Sequence, residues 1–102
     1  MNTTTLTTRQ QFNRNMDFFA RDLTTREFTG TPGWAINVER KGIADSYDIS
    51  EMTLEFLQNE LQLRKSRFFL DSHNWSDFYR AISDNEIQII ERLSFRKEEV
   101  GA

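Results

Sequence analysis

Residues 29 to 33 read Thr-Gly-Thr-Pro-Gly and hold the only proline and two of the four glycines of a 102-residue chain. Proline donates no backbone N–H, and glycine loses the most freedom on folding, so neither helix nor strand reads through this segment. The chain must therefore be built as one element before the breaker and a longer set after it.

Before the breaker, Phe12, Met16, Phe19 and Leu23 fall at i, i+4, i+7 and i+11, the spacing of one helical face. Thr7 and Gln10 have capping-box spacing just ahead of that stripe. Residues 1 to 8 form a Thr-rich lead-in that is expected to fray. Phe18 lies off the stripe, either widening the buried face or standing exposed.

After the breaker the apolar period switches to two. Trp34, Ile36 and Val38 alternate with Ala35, Asn37 and Glu39, and Ile43, Asp45, Tyr47 and Ile49 continue the alternation. With Arg40-Lys41-Gly42 as a turn, residues 34 to 49 read as a β-hairpin. Ser50 then has the character of an N-cap, with Glu51 in the first turn and Leu54, Leu57 and Leu61 on one face of a helix ending near Leu63. Phe68-Phe69-Leu70 fits either a third strand or a continuation of that helix. Asp71 to Asn74 reads as a loop. Ser76 caps a short helix carrying Phe78, Tyr79 and Ile82, and Ser83 with Glu86 has the spacing of a capping box for a last helix carrying Ile87, Ile90 and Leu93.

The expected fold is therefore α+β: a helix, a hairpin with room for a third strand, then two or three helices on one side of a small antiparallel sheet. Residues 9 to 95 form a single domain, and residues 96 to 102 a charged tail. A domain of this length buries roughly 65% of its unfolded surface, enough for one modest core.

Charge and composition narrow the function. The formal net charge is −3. General nucleic-acid binders carry a strong basic excess, and this chain has none. Sixteen acids against thirteen bases also fall short of a polyanionic mimic of DNA. The absence of cysteine excludes disulfides, thiolate metal sites and a cysteine nucleophile. No signal peptide and no apolar run of membrane-spanning length is found, so a cytoplasmic location is expected, and the glycosylation sequons at Asn2 and Asn74 read as chance.

Catalytic signatures are few. Neither GxGxxG nor a P-loop spacing occurs. His73, the only histidine, lies between Asp71 and Asp77 and could act as an acid–base pair, but it reads better as a solvated loop residue. Asp45, Asp48 and Glu51 form an acidic triplet spaced by threes that reads as strand-edge and capping chemistry rather than a metal site. No cofactor and no metal are expected.

Two features point instead to binding. Arg64, Lys65 and Arg67 cluster beside Phe68 and Phe69, and Trp75, Tyr79 and Arg80 bring three interface-prone side chains within six positions. Trp34 and Phe18 are further aromatics without an assigned place in the core. The expected function is a small protein-interaction module, an inhibitor, adaptor or immunity-like modulator that acts on a larger protein or complex. Its surface is Trp75, Tyr79 and Arg80 with Arg64, Lys65 and Arg67 as a charged rim. Compact cysteine-free domains of this kind are common among phage- and plasmid-encoded modulators, which is a compositional analogy. The alternative is a dimeric nucleic-acid-binding regulator that uses the helix after Ser50 and the basic cluster following it. An enzyme built on His73 is the third reading.

Overall fold

The computed structural model describes residues 6–101, and in these it contains four α-helices and no strand. They are α1 (Thr8–Phe28), α2 (Gly33–Ser46), α3 (Leu54–Asp71) and α4 (Asp77–Glu99), with a 3-10 turn at Ser72–Asn74 between the last two. The architecture is all-helical, so the expected α+β class with its antiparallel sheet is overturned.

α1 starts as its sequence predicts. The Thr7 N–H donates to Gln10 Oε1 at 2.9 Å, and the Gln10 N–H donates to Thr7 Oγ1 at 3.1 Å. These reciprocal bonds satisfy two of the donors that every helix start leaves open. Of the Thr-rich lead-in, residues 1–5, with the sequon at Asn2, lie outside the described residues.

The segment read as a hairpin is α2. The alternation of Trp34, Ile36 and Val38 covers only five residues. Ile36, Ile43, Ala44 and Tyr47 also lie at i, i+7, i+8 and i+11, and that helical set is the one packed into the core. Trp34 and Val38 fall on the other side of the helix and stay 72% and 64% exposed. Pro32 suits the N-cap, since a residue there has no intrahelical N–H bond to lose. Gly42 does not turn the chain but sits inside the helix.

Two further readings change for related reasons. The N-cap of α3 is Thr53, whose Oγ1 accepts from the Phe56 N–H at 3.0 Å, and not Ser50. No residue between Leu63 and Asp71 breaks a helix, so α3 runs on through Phe68-Phe69-Leu70, which is not a strand. Ser76 does cap the helix after the turn, its Oγ accepting from the Tyr79 N–H at 3.1 Å. That helix does not restart at Ser83. It is one element of 23 residues, about 35 Å long at the helical rise. Arg96 and Lys97 belong to it rather than to a separate tail.

α4 is the central element and packs against α1, α2 and α3. The core joins Phe12, Met16 and Leu23 of α1, Ile36 and Ala44 of α2, Leu57 of α3, and Ile89, Ile90 and Leu93 of α4, with Ile49 from the α2–α3 connection. Each large side chain in this set contributes about 1.5–3 kcal/mol by leaving water. Phe12 meets the edges of Phe56 at 5.4 Å and Tyr47 at 6.1 Å, a favoured arrangement of ring quadrupoles.

Polar side chains fix how the helices register. Asn85 of α4, 2% exposed, donates to Thr24 Oγ1 of α1 at 2.8 Å, and its Oδ1 accepts from Arg40 of α2 at 2.9 and 3.1 Å. Arg96 donates to the carbonyls of Ala44 at 2.6 Å and Tyr47 at 2.8 Å, and Lys97 to that of Ile49 at 3.3 Å. The end of α2 and the chain that follows it are thereby tied to α4. α1 packs on α2 as well as on α4, and residues of α1, α3 and α4 line a groove between them.

Candidate functional site

The groove has a volume of about 450 Å³. α1 supplies one wall with Arg9, Asn13 and Asp17, and α3 the other with Glu60, Leu63, Arg64 and Arg67. α4 forms the floor through Ile82, Ser83 and Glu86, and Trp75 and Tyr79 close one end. Four of the six side chains picked out from the sequence meet here: Arg64, Arg67, Trp75 and Tyr79.

Arg64 organises the floor. Its guanidinium donates to Glu60 Oε2 at 2.7 Å, to Glu86 Oε2 at 3.0 Å and to the side-chain oxygen of Asn13. Its carbon lies 6.0 Å from the Phe12 ring centroid, within cation–π range. The second Glu60 oxygen lies 2.8 Å from Arg9 Nε. One guanidinium thus joins α1, α3 and α4. The arrangement is held tightly because Glu60 is only 4% exposed, and a buried carboxylate without a cation is very costly. Burial pushes the Glu86 carboxyl above its ordinary range, against the lowering effect of its bond to Arg64.

Trp75 and Tyr79 form an edge-to-face pair with centroids 4.8 Å apart, and Phe68 meets Trp75 at 6.0 Å. The 3-10 turn brings Trp75 back beside the first turn of α4. Arg80 secures that turn by donating to the carbonyls of Ser72 at 3.0 Å and Trp75 at 3.1 Å, and by pairing with Asp77. Arg80 is therefore a support behind the aromatic pair and does not line the groove. Lys65 also turns away, 3.3 Å from Glu91 on α4. Arg67 is exposed at the groove and makes no ion pair among the described residues.

Leu63, Arg9, Asn13, Glu60 and Glu86 were not picked out from the sequence as site residues. Glu60 and Arg64 stand at i, i+4, the spacing of a helical ion pair, so that link was readable. Asn13 and Glu86 reach Arg64 across 51 and 22 positions, and no local pattern announces them.

The other sequence candidates do not assemble. His73 lies exposed in the 3-10 turn, and Asp77 is committed to Arg80. Asp45 pairs with Arg92 at 2.9 Å, whose hydrogen bond holds its carboxyl below the usual range. Asp48 accepts from the Ser50 N–H at 3.0 Å, which lowers it likewise. Among the described residues no group of three or more His, Asp or Glu side chains comes together to hold a metal ion. None of their helices is long and apolar enough to cross a membrane.

Comparison with known proteins gives no match: no family model, curated protein or solved structure is significantly similar to this chain.

The groove is thus a rigid polar floor under an apolar lip. Trp75, Tyr79 and the exposed Leu63 provide area that costs little side-chain entropy to use, and Arg67 provides a directional charge.

Proposed function

We propose that this chain is a small protein-interaction module, an inhibitor, adaptor or immunity-like modulator, and that it docks on a larger protein through the groove between α1 and α3. One observation carries this reading. The aromatic pair of Trp75 and Tyr79, the exposed Leu63 and Arg67, which makes no ion pair among the described residues, share one concave surface whose floor is locked by the Arg64 ion network. Interfaces draw most of their energy from a few aromatic and arginine side chains set in a preorganised frame.

The nucleic-acid reading has less support. Of its basic cluster, Arg64 and Lys65 are already paired with Glu60, Glu86 and Glu91. Arg40 is engaged with Asn85 and Gln88, and Arg96 and Lys97 with backbone carbonyls. Few charges are left to displace counterions from a phosphate backbone.

The test is affinity capture from the cell in which the chain is made, with a nuclease-treated control. The wild-type chain is expected to recover one protein in stoichiometric amount, and Trp75→Ala, Tyr79→Ala and Arg67→Ala to lose it while retaining their helical circular dichroism. Material that disappears on nuclease treatment, or capture that none of the three substitutions affects, overturns the proposal.

A further inference from the structure

The charges lining the groove define the chemistry of what can sit in it. They are three cations (Arg9, Arg64 and Arg67) and three acids (Asp17, Glu60 and Glu86). Arg9 and Arg64 are spent on Glu60 and Glu86. Asp17 is held by Arg21, 2.9 Å away on the next turn of α1. Arg67 has no ion-pair partner among the described residues. Among these residues the groove therefore presents one uncompensated positive charge, two turns of α3 beyond the Glu60 contact and beside the apolar group of Leu63, Trp75 and Tyr79.

We infer that the groove takes a segment of a partner protein in which a carboxylate stands next to a bulky apolar side chain, the carboxylate on Arg67 and the apolar group against Trp75, Tyr79 and Leu63. This rests on the docking function proposed above and adds the chemistry of the partner. A guanidinium binds a carboxylate through two parallel N–H donors, and an apolar wall beside it raises the strength of that bond. A polyphosphate strand fits poorly, because it would need several free cations and would lie over the carboxylates of Glu60 and Glu86.

The experiment pans a random dodecapeptide display library against the immobilised full chain and measures the selected peptide, synthesised, by titration calorimetry. Selected sequences are expected to place Asp or Glu within four residues of an aromatic or large aliphatic residue. Arg67→Glu is expected to weaken the selected peptide roughly 10- to 100-fold, the range for a hydrogen bond to a charged group. A peptide with its acid changed to Lys is expected to bind the Arg67→Glu chain better than it binds the wild type. Arg67 is exposed, so this variant tests charge without disturbing the core.

Peptides that need Trp75 and Tyr79 but are indifferent to Arg67→Glu would keep the docking groove and overturn the acidic partner. Peptides indifferent to all three positions, or a library that yields none, would overturn both. Arg67-dependent binding of a 20-nucleotide oligothymidine at comparable affinity would overturn the protein class of the partner. Trp75-dependent dimers in sedimentation equilibrium would replace the partner by a second copy.

Discussion

Arg64 Nε lies 3.0 Å from Glu86 Oε2, and the same guanidinium holds Glu60 at 2.7 Å, so one side chain answers carboxylates from two helices. A residue expected to form the rim of an interface is also the centre of a partly buried network. Removing it strands Glu60 with only the more exposed Arg9 as partner. Arg64→Ala is therefore expected to cost about 3–5 kcal/mol of stability, the range for breaking one side of a buried pair. Arg67→Ala, one turn on and exposed, is expected to stay within about 0.5 kcal/mol of wild type. Urea denaturation of the two variants side by side checks this, and equal stabilities would remove the structural role of Arg64.

The acid–base behaviour of Glu86 gives a second expectation. Burial raises its carboxyl above the ordinary value near 4.5, with Asp17 adding to the rise and Arg64 and Arg21 opposing it. The folded state then binds a proton more tightly than the unfolded chain does. Between the unfolded and the folded pKa the native state holds more protons, so this group's contribution falls as pH rises through that window. Asp45 and Asp48 act in the opposite sense. Their carboxyls are lowered in the folded state, so their contributions vanish as pH falls below the ordinary value of 3.8. Denaturation midpoints measured from pH 3 to pH 7 are expected to show the Glu86 slope above 4.5 in the wild type and to lose it in Glu86→Gln. An unchanged slope in the variant would assign it to another group.

Arg80 acts on the groove from behind. It donates to the carbonyls of Ser72 and Trp75, which fixes the turn that presents Trp75. Arg80→Ala is expected to cost about 1 kcal/mol, the usual net worth of such bonds. It should also loosen the turn, seen as greater iodide quenching of Trp75 fluorescence in a Trp34→Phe background, since Trp34 is the other tryptophan. Arg80→Lys keeps the charge but not the planar fork, and is expected to recover little of the ordering. Full recovery by lysine would show that charge alone is at work.

What could be read from the sequence follows from how local each signal is. The stripe of Phe12, Met16 and Leu23, the capping box at Thr7 and the N-cap at Ser76 depend on neighbours within one or two turns, and they appear in the structure where their spacing puts them. α2 was lost because a short alternation around Ile36 satisfies both periods, and only α1 and α4 decide which set is buried. Phe68-Phe69-Leu70 fitted a third strand or a continuing helix, and the helix is what forms. Apolar residues in a run suggest burial, yet Phe69 is 85% exposed, and α3 buries only Leu57 and Glu60. Ser83 and Glu86 matched a capping box by spacing, yet both lie mid-helix in the groove floor. The site was half legible. Trp75, Tyr79 and Arg67 were found by residue type, whereas the split between Arg64, which turns inward to Glu60 and Glu86, and Lys65, which faces Glu91, depends on the rotation of α3 against α4.

Gly42 separates the helix from the hairpin in a single substitution. In a hairpin turn it would adopt a positive φ, where a Cβ is strained, and Gly42→Ala would destabilise the chain. In α2 it sits inside a helix, its φ lies outside the left-handed region, and nothing within 4 Å obstructs a Cβ. Alanine there removes freedom from the unfolded chain and favours the helix, so Gly42→Ala is expected to gain about 0.5–1 kcal/mol. Gly30 is the control. It follows the end of α1 at φ +112°, a conformation that L side chains rarely adopt. Space around it is equally open, so any cost of Gly30→Ala is backbone strain alone, expected at about 1 kcal/mol or more. Thermal melts of the two variants should therefore shift in opposite directions. A loss of stability at Gly42 would restore the turn at Arg40-Lys41-Gly42 and remove α2 from the fold.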